Sequence, residues 1–217
     1  MDETIRNIAV YALPVLFAIT LHEAAHAYAA KYFGDNTAYS QGRMSLNPLV
    51  HVDPWGTIVI PIMMYLFTPF VFGYAKPVPV DFGRLRNPKR DMAWVALAGP
   101  LANLIMAALW LLFAVLLMFF RVEEAFPRRM AEAGILTNLL IMAFNLLPIP
   151  PLDGGRVMTS MLPNTLAYQF ARLEPYGIFI VLGLAFLKLV GYWVVPVMQL
   201  GRWIVDLMVL PFTFFLL

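Results

Sequence analysis

Leu21-His22-Glu23-Ala24-Ala25-His26-Ala27 closes a run of apolar residues near the start of the chain. On a helix, His-Glu-x-x-His sets two imidazoles at i and i+4, on one face and one turn apart. That spacing can hold one Zn²⁺, with the intervening Glu23 placed to act as a general base. Here the motif does not sit on a soluble helix, because residues 8–21 carry no charge at all. A zinc site at the end of such a segment points to hydrolysis inside a membrane.

The composition agrees. Of 217 residues, 61% are hydrophobic and 13% charged, with a mean hydropathy of +0.75. Soluble domains carry about 25% charged and about 45–50% apolar residues. The expected class is therefore an all-α polytopic membrane protein, with about five to six hydrophobic helices. The absence of cysteine excludes disulfides and thiolate metal sites, so any metal must be held by histidines and carboxylates. The first hydrophobic segment carries the candidate ligands, so it is not expected to be cleaved as a signal peptide. No appended soluble domain is evident. The reading is one membrane-embedded unit over 1–217, with a core at 6–156 and accessory C-terminal helices at 157–217. Membrane lipid is an expected partner and nucleic acid is not.

Segment one, residues 6–31, is long enough to span a bilayer, for which about 20 residues suffice. Pro14 lies inside it and Gly34-Asp35-Asn36 ends it. Residues 37–47 are polar and contain Gln41-Gly42, the pattern of a short extended or β region. Segment two, 55–72, is apolar but interrupted by Pro61 and Pro69. An extended stretch, Gly73-Tyr74-Ala75-Lys76-Pro77-Val78-Pro79-Val80, leads to a basic loop with Arg84, Arg86, Lys89 and Arg90. Segment three, 92–120, is free of charge, and its Ala98-Gly99-Pro100 permits close helix packing. Segment four, 133–147, must stop at Pro148-Ile149-Pro150-Pro151. Segments five, 176–190, and six, 193–217, are apolar. Gln199, Arg202 and Asp206 make segment six amphipathic and partly interfacial by expectation.

A hydrolytic zinc takes three protein ligands and a water, so His22 and His26 need a third. Asp153 is the first candidate, a carboxylate just past an apolar helix and followed by two glycines. His51, in a polar loop, is the second. If Asp153 meets the histidines, the C-terminal ends of segments one and four share one side of the membrane. Segments one and four then run parallel, so only one of segments two and three can cross. Segment two is accordingly expected to be re-entrant or shallow, its broken backbone covered by protein or water. This choice gathers Lys31, Arg43, Lys76, Arg84, Arg86, Lys89, Arg90, Arg156 and Arg172 on the site side. Lys/Arg bias marks the cytoplasmic face, which places the site towards the cytoplasm and the N-terminus outside.

His22-Glu23-Ala24-Ala25-His26 in a first membrane helix, with Asn145-Leu146-Leu147-Pro148-Ile149-Pro150-Pro151-Leu152-Asp153-Gly154-Gly155 downstream, resembles the site-2 protease family of intramembrane zinc metalloproteases. Ala98-Gly99-Pro100-Leu101-Ala102-Asn103 and the Gly73–Val80 stretch also look like its short bacterial and archaeal members. The resemblance covers residues 21–156 and is to a short form without PDZ or CBS domains. It implies Zn²⁺ held by His22, His26 and Asp153, a catalytic Glu23, and an Asn145 that helps bind the substrate backbone or the oxyanion. No helix precedes segment one, so gating helices of relatives are expected to be absent or different.

The resulting expectation is an intramembrane zinc metalloendopeptidase that cuts within or near a transmembrane segment of its substrate, close to the cytoplasmic face. The substrate helix would unwind and pair as a strand with residues 37–46 or 74–80. His51, Lys76 and Asn103 are further candidates for contact with substrate, although Asn103 and Asn138 equally suit interhelical hydrogen bonding. Two other classes remain at this point. A silent membrane scaffold of the same fold would bind partners without turnover. A zinc transporter would need ligands at several depths, and the sequence has one cluster.

Overall fold

The computed structural model describes residues 2–59, 63 and 76–216; among these the regular structure is helical and no strand forms. Helix α1 (Asp2–Tyr32) contains the His-Glu-x-x-His motif. It ends where Gly34 adopts a φ of +113°. The amide of Gly34 donates to Lys31 O at 3.1 Å and that of Asp35 to Ala30 O at 2.9 Å, which satisfies the last carbonyls. Arg86 Nη2 donates to Tyr32 O at 2.9 Å. One member of the basic loop is thus a cap for α1.

The expected extended region after α1 is a correction. Thr37–Ser40 forms a one-turn helix, α2, and coil follows it. The cause is local: Asp35 Oδ1 accepts from the Thr37 amide at 2.9 Å and from its hydroxyl at 2.5 Å. The backbone donor is satisfied within the turn instead of by a strand partner.

Helix α3 (Pro88–Phe119) opens with proline in its first turn, where a missing N–H costs nothing. The Asn87 amide donates to Asp91 Oδ2 at 2.8 Å. Helix α4 (Ala125–Asn145) starts earlier than expected and includes Arg128 and Arg129. Short helices follow: α5 (Asp153–Met161), α6 (Asn164–Ala171) and α7 (Gly177–Phe186). Ten residues make α7 too short to cross a bilayer alone. Helix α8 (Val190–Leu216) has 27 residues. By length and apolarity α1, α3 and α8 can cross a membrane. That is three candidate spans among the described residues; the expected count of five to six hydrophobic helices is not confirmed.

Helix α3 is the centre of the assembly, with α1, α4, α5 and α8 all packed on it. Trp110 of α3 lies over Gly134 of α4, where a Cβ would come within 2.6 Å of the indole Cδ1. Met142 and Leu139 of α4 meet Gly201 of α8, and Trp193 Nε1 donates to Ala143 O at 3.2 Å.

Two pairs of contacts give the helix directions. His26 reaches Val95 while Ala18 reaches Asn103, so α1 and α3 are antiparallel. Asn103 reaches Asn138 while Trp110 covers Gly134, so α3 and α4 are antiparallel. Helices α1 and α4 therefore run parallel, as the third-ligand argument required. The end of α1 and the start of α3 lie at the same end of the bundle. Most of segment two, expected to be re-entrant, lies outside the described residues.

Candidate metal centre

Three side chains from two helices converge on one point. Helix α1 presents His22 and His26 from consecutive turns, and α5 presents Asp153 from its first turn. A carboxylate is favoured there by the unsatisfied amides and positive dipole end of the helix. All three side chains are buried, with exposures of 5%, 7% and 5%. His22 Nε2 lies 3.0 Å from His26 Nε2, and Asp153 Oδ2 lies 3.2 Å and 3.3 Å from the two nitrogens. No other group of three such side chains converges among the described residues.

The glycines after Asp153 make this approach possible. A Cβ on Gly154 would overlap the Leu146 carbonyl, and one on Gly155 would overlap the backbone between Ile149 and Pro150. The start of α5 folds back on the end of α4 without a side chain between them. Gly99 has a comparable role from α3. A Cβ there would overlap His26 Nε2 and lie 2.7 Å from His22 Nε2. The sequence reading took Gly99 only as a packing residue; the centre needs its missing side chain.

Hydrogen bonds on the far side of each imidazole determine the tautomers. His26 Nδ1 lies 2.7 Å from Val95 O. A carbonyl only accepts, so Nδ1 carries the proton and Nε2 of the neutral ring presents a lone pair. His22 Nδ1 lies 2.6 Å from Asn103 Oδ1. The amide orientation is set independently, because Asn103 Nδ2 donates to Ala18 O at 3.1 Å and to Asn138 Oδ1 at 3.0 Å. Asn138 Nδ2 in turn donates to Gly134 O at 2.8 Å. Two backbone carbonyls thus anchor the network, and His22 Nε2 also presents a lone pair.

Three acceptors therefore face one another in a buried space, and Asp153 Oδ2 has no hydrogen-bond donor. Such an arrangement calls for a cation. Tetrahedral zinc with ligands at about 2.0–2.1 Å sets neighbouring donors about 3.3–3.4 Å apart, close to the separations found. Two neutral imidazoles and a carboxylate are the donor set of a hydrolytic zinc site, and the residues fit the ion.

Glu23 is half-buried beside the cluster, and its Oε2 accepts from the Val78 amide at 2.7 Å. Asn145 stands at the end of α4, where Nδ2 donates to Ile141 O at 3.0 Å. It is not brought into contact with the three ligands. Asn103 is fully buried, and its oxygen and nitrogen bind His22, Ala18 and Asn138. These bonds fit a support for the metal centre and do not present the amide to substrate. His51 is 2% exposed and outside the cluster. Its Nε2 donates to Ser45 O at 2.8 Å and its carbonyl accepts from the Lys76 amide at 2.9 Å. It joins two loops and is not a third ligand. The Lys76 side chain is exposed.

Residues 121–189 match the family model described as Peptidase family M50. The chain is 36% identical over 195 residues to the Bacillus subtilis (strain 168) protein named "Putative zinc metalloprotease YwhC", covering 88% of this chain and 86% of that one. It is 30% identical over 179 residues to a protein of Mycolicibacterium smegmatis named "Putative zinc metalloprotease Rip2", covering 82% and 67%. It is also 30% identical over 138 residues to Stage IV sporulation protein FB of Bacillus subtilis, covering 62% and 43%. No solved structure matches the chain.

Proposed function

The chain belongs to peptidase family M50, and from that membership we infer that it hydrolyses a peptide bond within or near the membrane segment of a membrane-protein substrate. It is a zinc metalloprotease and a membrane protein. The observation that carries the intramembrane reading is the position of the lone-pair triangle of His22, His26 and Asp153. Two of its three members lie on α1, inside a stretch, Ile5–Tyr32, that can itself cross a bilayer. The excess of lysine and arginine around the site end of the bundle supports a cytoplasmic-side site and an N-terminus outside.

His22 Nε2, His26 Nε2 and Asp153 Oδ2 would hold the ion. Bound there, Zn²⁺ supplies Lewis-acid polarisation of the scissile carbonyl and acidifies the attacking water. Glu23 accepts the proton of that water and returns it to the leaving amine. Asn145 keeps a second N–H on the nitrogen that binds Ile141, available to the developing oxyanion. A helical substrate has its carbonyls hydrogen-bonded already, so it must unwind before it is cut.

The test is cleavage of a single-span reporter in vesicles by the wild type and by Glu23→Gln, with zinc measured in both. The expected result is equal zinc and a loss of about 10²–10⁴-fold in rate for the variant. Cleavage by Glu23→Gln at the wild-type rate would remove Glu23 from the chemistry. Zinc-loaded wild type that cuts no reporter would favour a silent scaffold.

A further inference from the structure

Val78 lies on an extended strap, residues 76–80, that crosses the bundle beside α1. Its flanking residues, Pro77 and Pro79, have no amide hydrogen, so Val78 carries the one N–H in this three-residue stretch. That N–H donates to Glu23 Oε2 at 2.7 Å. We propose that the Val78 backbone amide is the positioning group of the general base. It holds one oxygen of Glu23 so that the other, Oε1, faces the attacking water. The proposal rests on the assignment of Glu23 as base.

The rest of the strap is built to keep that N–H in place. The Lys76 amide donates to His51 O at 2.9 Å. Arg43 Nη2 donates to Lys76 O at 2.9 Å and to Pro77 O at 3.3 Å. The Val78 side chain is 7% exposed and packs with Ala27 of α1 and Ala38 of α2. Beyond the prolines, the Asp81 amide donates to Asp35 Oδ2 at 2.8 Å, and Asp35 is itself fully buried. The strap is thereby tied on both sides of Val78. A glutamate on a helix has three rotatable side-chain bonds, and among the described residues the hydrogen bond recorded for this carboxylate is the one from Val78. A charge-assisted hydrogen bond from a fixed backbone is the device that restricts it.

These bonds also change the reading of residues 74–80 as a pairing edge for substrate. Between Lys76 and Pro79 the two available amides are both engaged, one by His51 and one by Glu23, and Arg43 covers two carbonyls. This part of the strap serves the base.

The test uses the zinc-loaded full-length chain in vesicles, with a single-span reporter whose membrane segment has a helix-breaking centre. Val78→Pro deletes the N–H. Substitution of the α-hydroxy analogue of valine at 78 deletes it while keeping the side chain, which guards against a misfolded proline variant. Val78→Ala keeps the N–H. The expected result is a 10–100-fold fall in kcat for the first two, with KM within about twofold and zinc content unchanged, and a loss of less than about threefold for Val78→Ala. Wild-type kcat in the ester variant would overturn the proposal. So would a change confined to KM, which would make the strap a substrate contact, or an equal loss in Val78→Ala, which would make it packing alone. Glu23→Gln is measured alongside. If it stays active, the assignment of the base has failed; if it is inactive while the ester variant is not, only the role of Val78 has failed.

Discussion

His22 and Asn103, on antiparallel helices, are joined by a 2.6 Å hydrogen bond from Nδ1 to Oδ1. Because Ala18 O and Asn138 Oδ1 hold the Asn103 nitrogen, its oxygen can only face the imidazole. The bond selects the tautomer that leaves Nε2 free for metal. Asn103→Ala should weaken zinc binding by about 10–100-fold, the usual effect of losing a partner of a ligating histidine. Competition against a chelator of known affinity measures it. An unchanged affinity would mean that His22 does not depend on this bond.

Gly99→Ala sets a methyl group against both ligating nitrogens. The predicted outcome is loss of zinc with the helical circular dichroism preserved. Gly183→Ala is the control, since a Cβ there has no neighbour within 4 Å. It should leave zinc untouched and be neutral to slightly stabilising, because alanine is favoured over glycine in a helix.

Gly134→Ala tests the packing that orders α3 against α4. The added Cβ would overlap the Trp110 ring, and overpacking of this kind costs about 1–3 kcal/mol. Thermal denaturation in detergent should show a lower midpoint than wild type. An unchanged midpoint would mean that Trp110 has room to turn aside.

Substrate unwinding has its own consequence. Helix-destabilising residues near the cut should raise the cleavage rate of a single-span reporter, and a stiff poly-leucine segment should be cut slowly. Equal rates would show that helix opening does not limit access to Glu23.

Much of the site was readable from residue types. His22, Glu23 and His26 follow from spacing on one apolar helix, and Asp153 from the scarcity of other carboxylates near apolar segments. Their convergence then required parallel α1 and α4, and the contacts of Ala18, Asn103 and Asn138 have that direction. The supporting parts were harder to see. Val95 and Val78 act through backbone atoms, which no side chain announces. Asn103 was visible as a polar residue in an apolar run, but its partner depends on helix register that a single sequence does not specify. The turn at Thr37–Ser40 was missed because the Asp35 side chain, and not the polar stretch itself, decides its conformation. Segment five was bounded at residue 190 from apolarity alone, while its helix stops at Phe186.

The central claim is that His22 and His26 of α1 and Asp153 of α5 hold one zinc ion. Elemental analysis of detergent-purified protein, wild type beside Asp153→Ala, tests it most directly. The account predicts about one zinc per chain in the wild type and loss of the metal in the variant, since a catalytic zinc takes three protein ligands. Zinc retained at full occupancy without Asp153, or absent from carefully handled wild type, would contradict it.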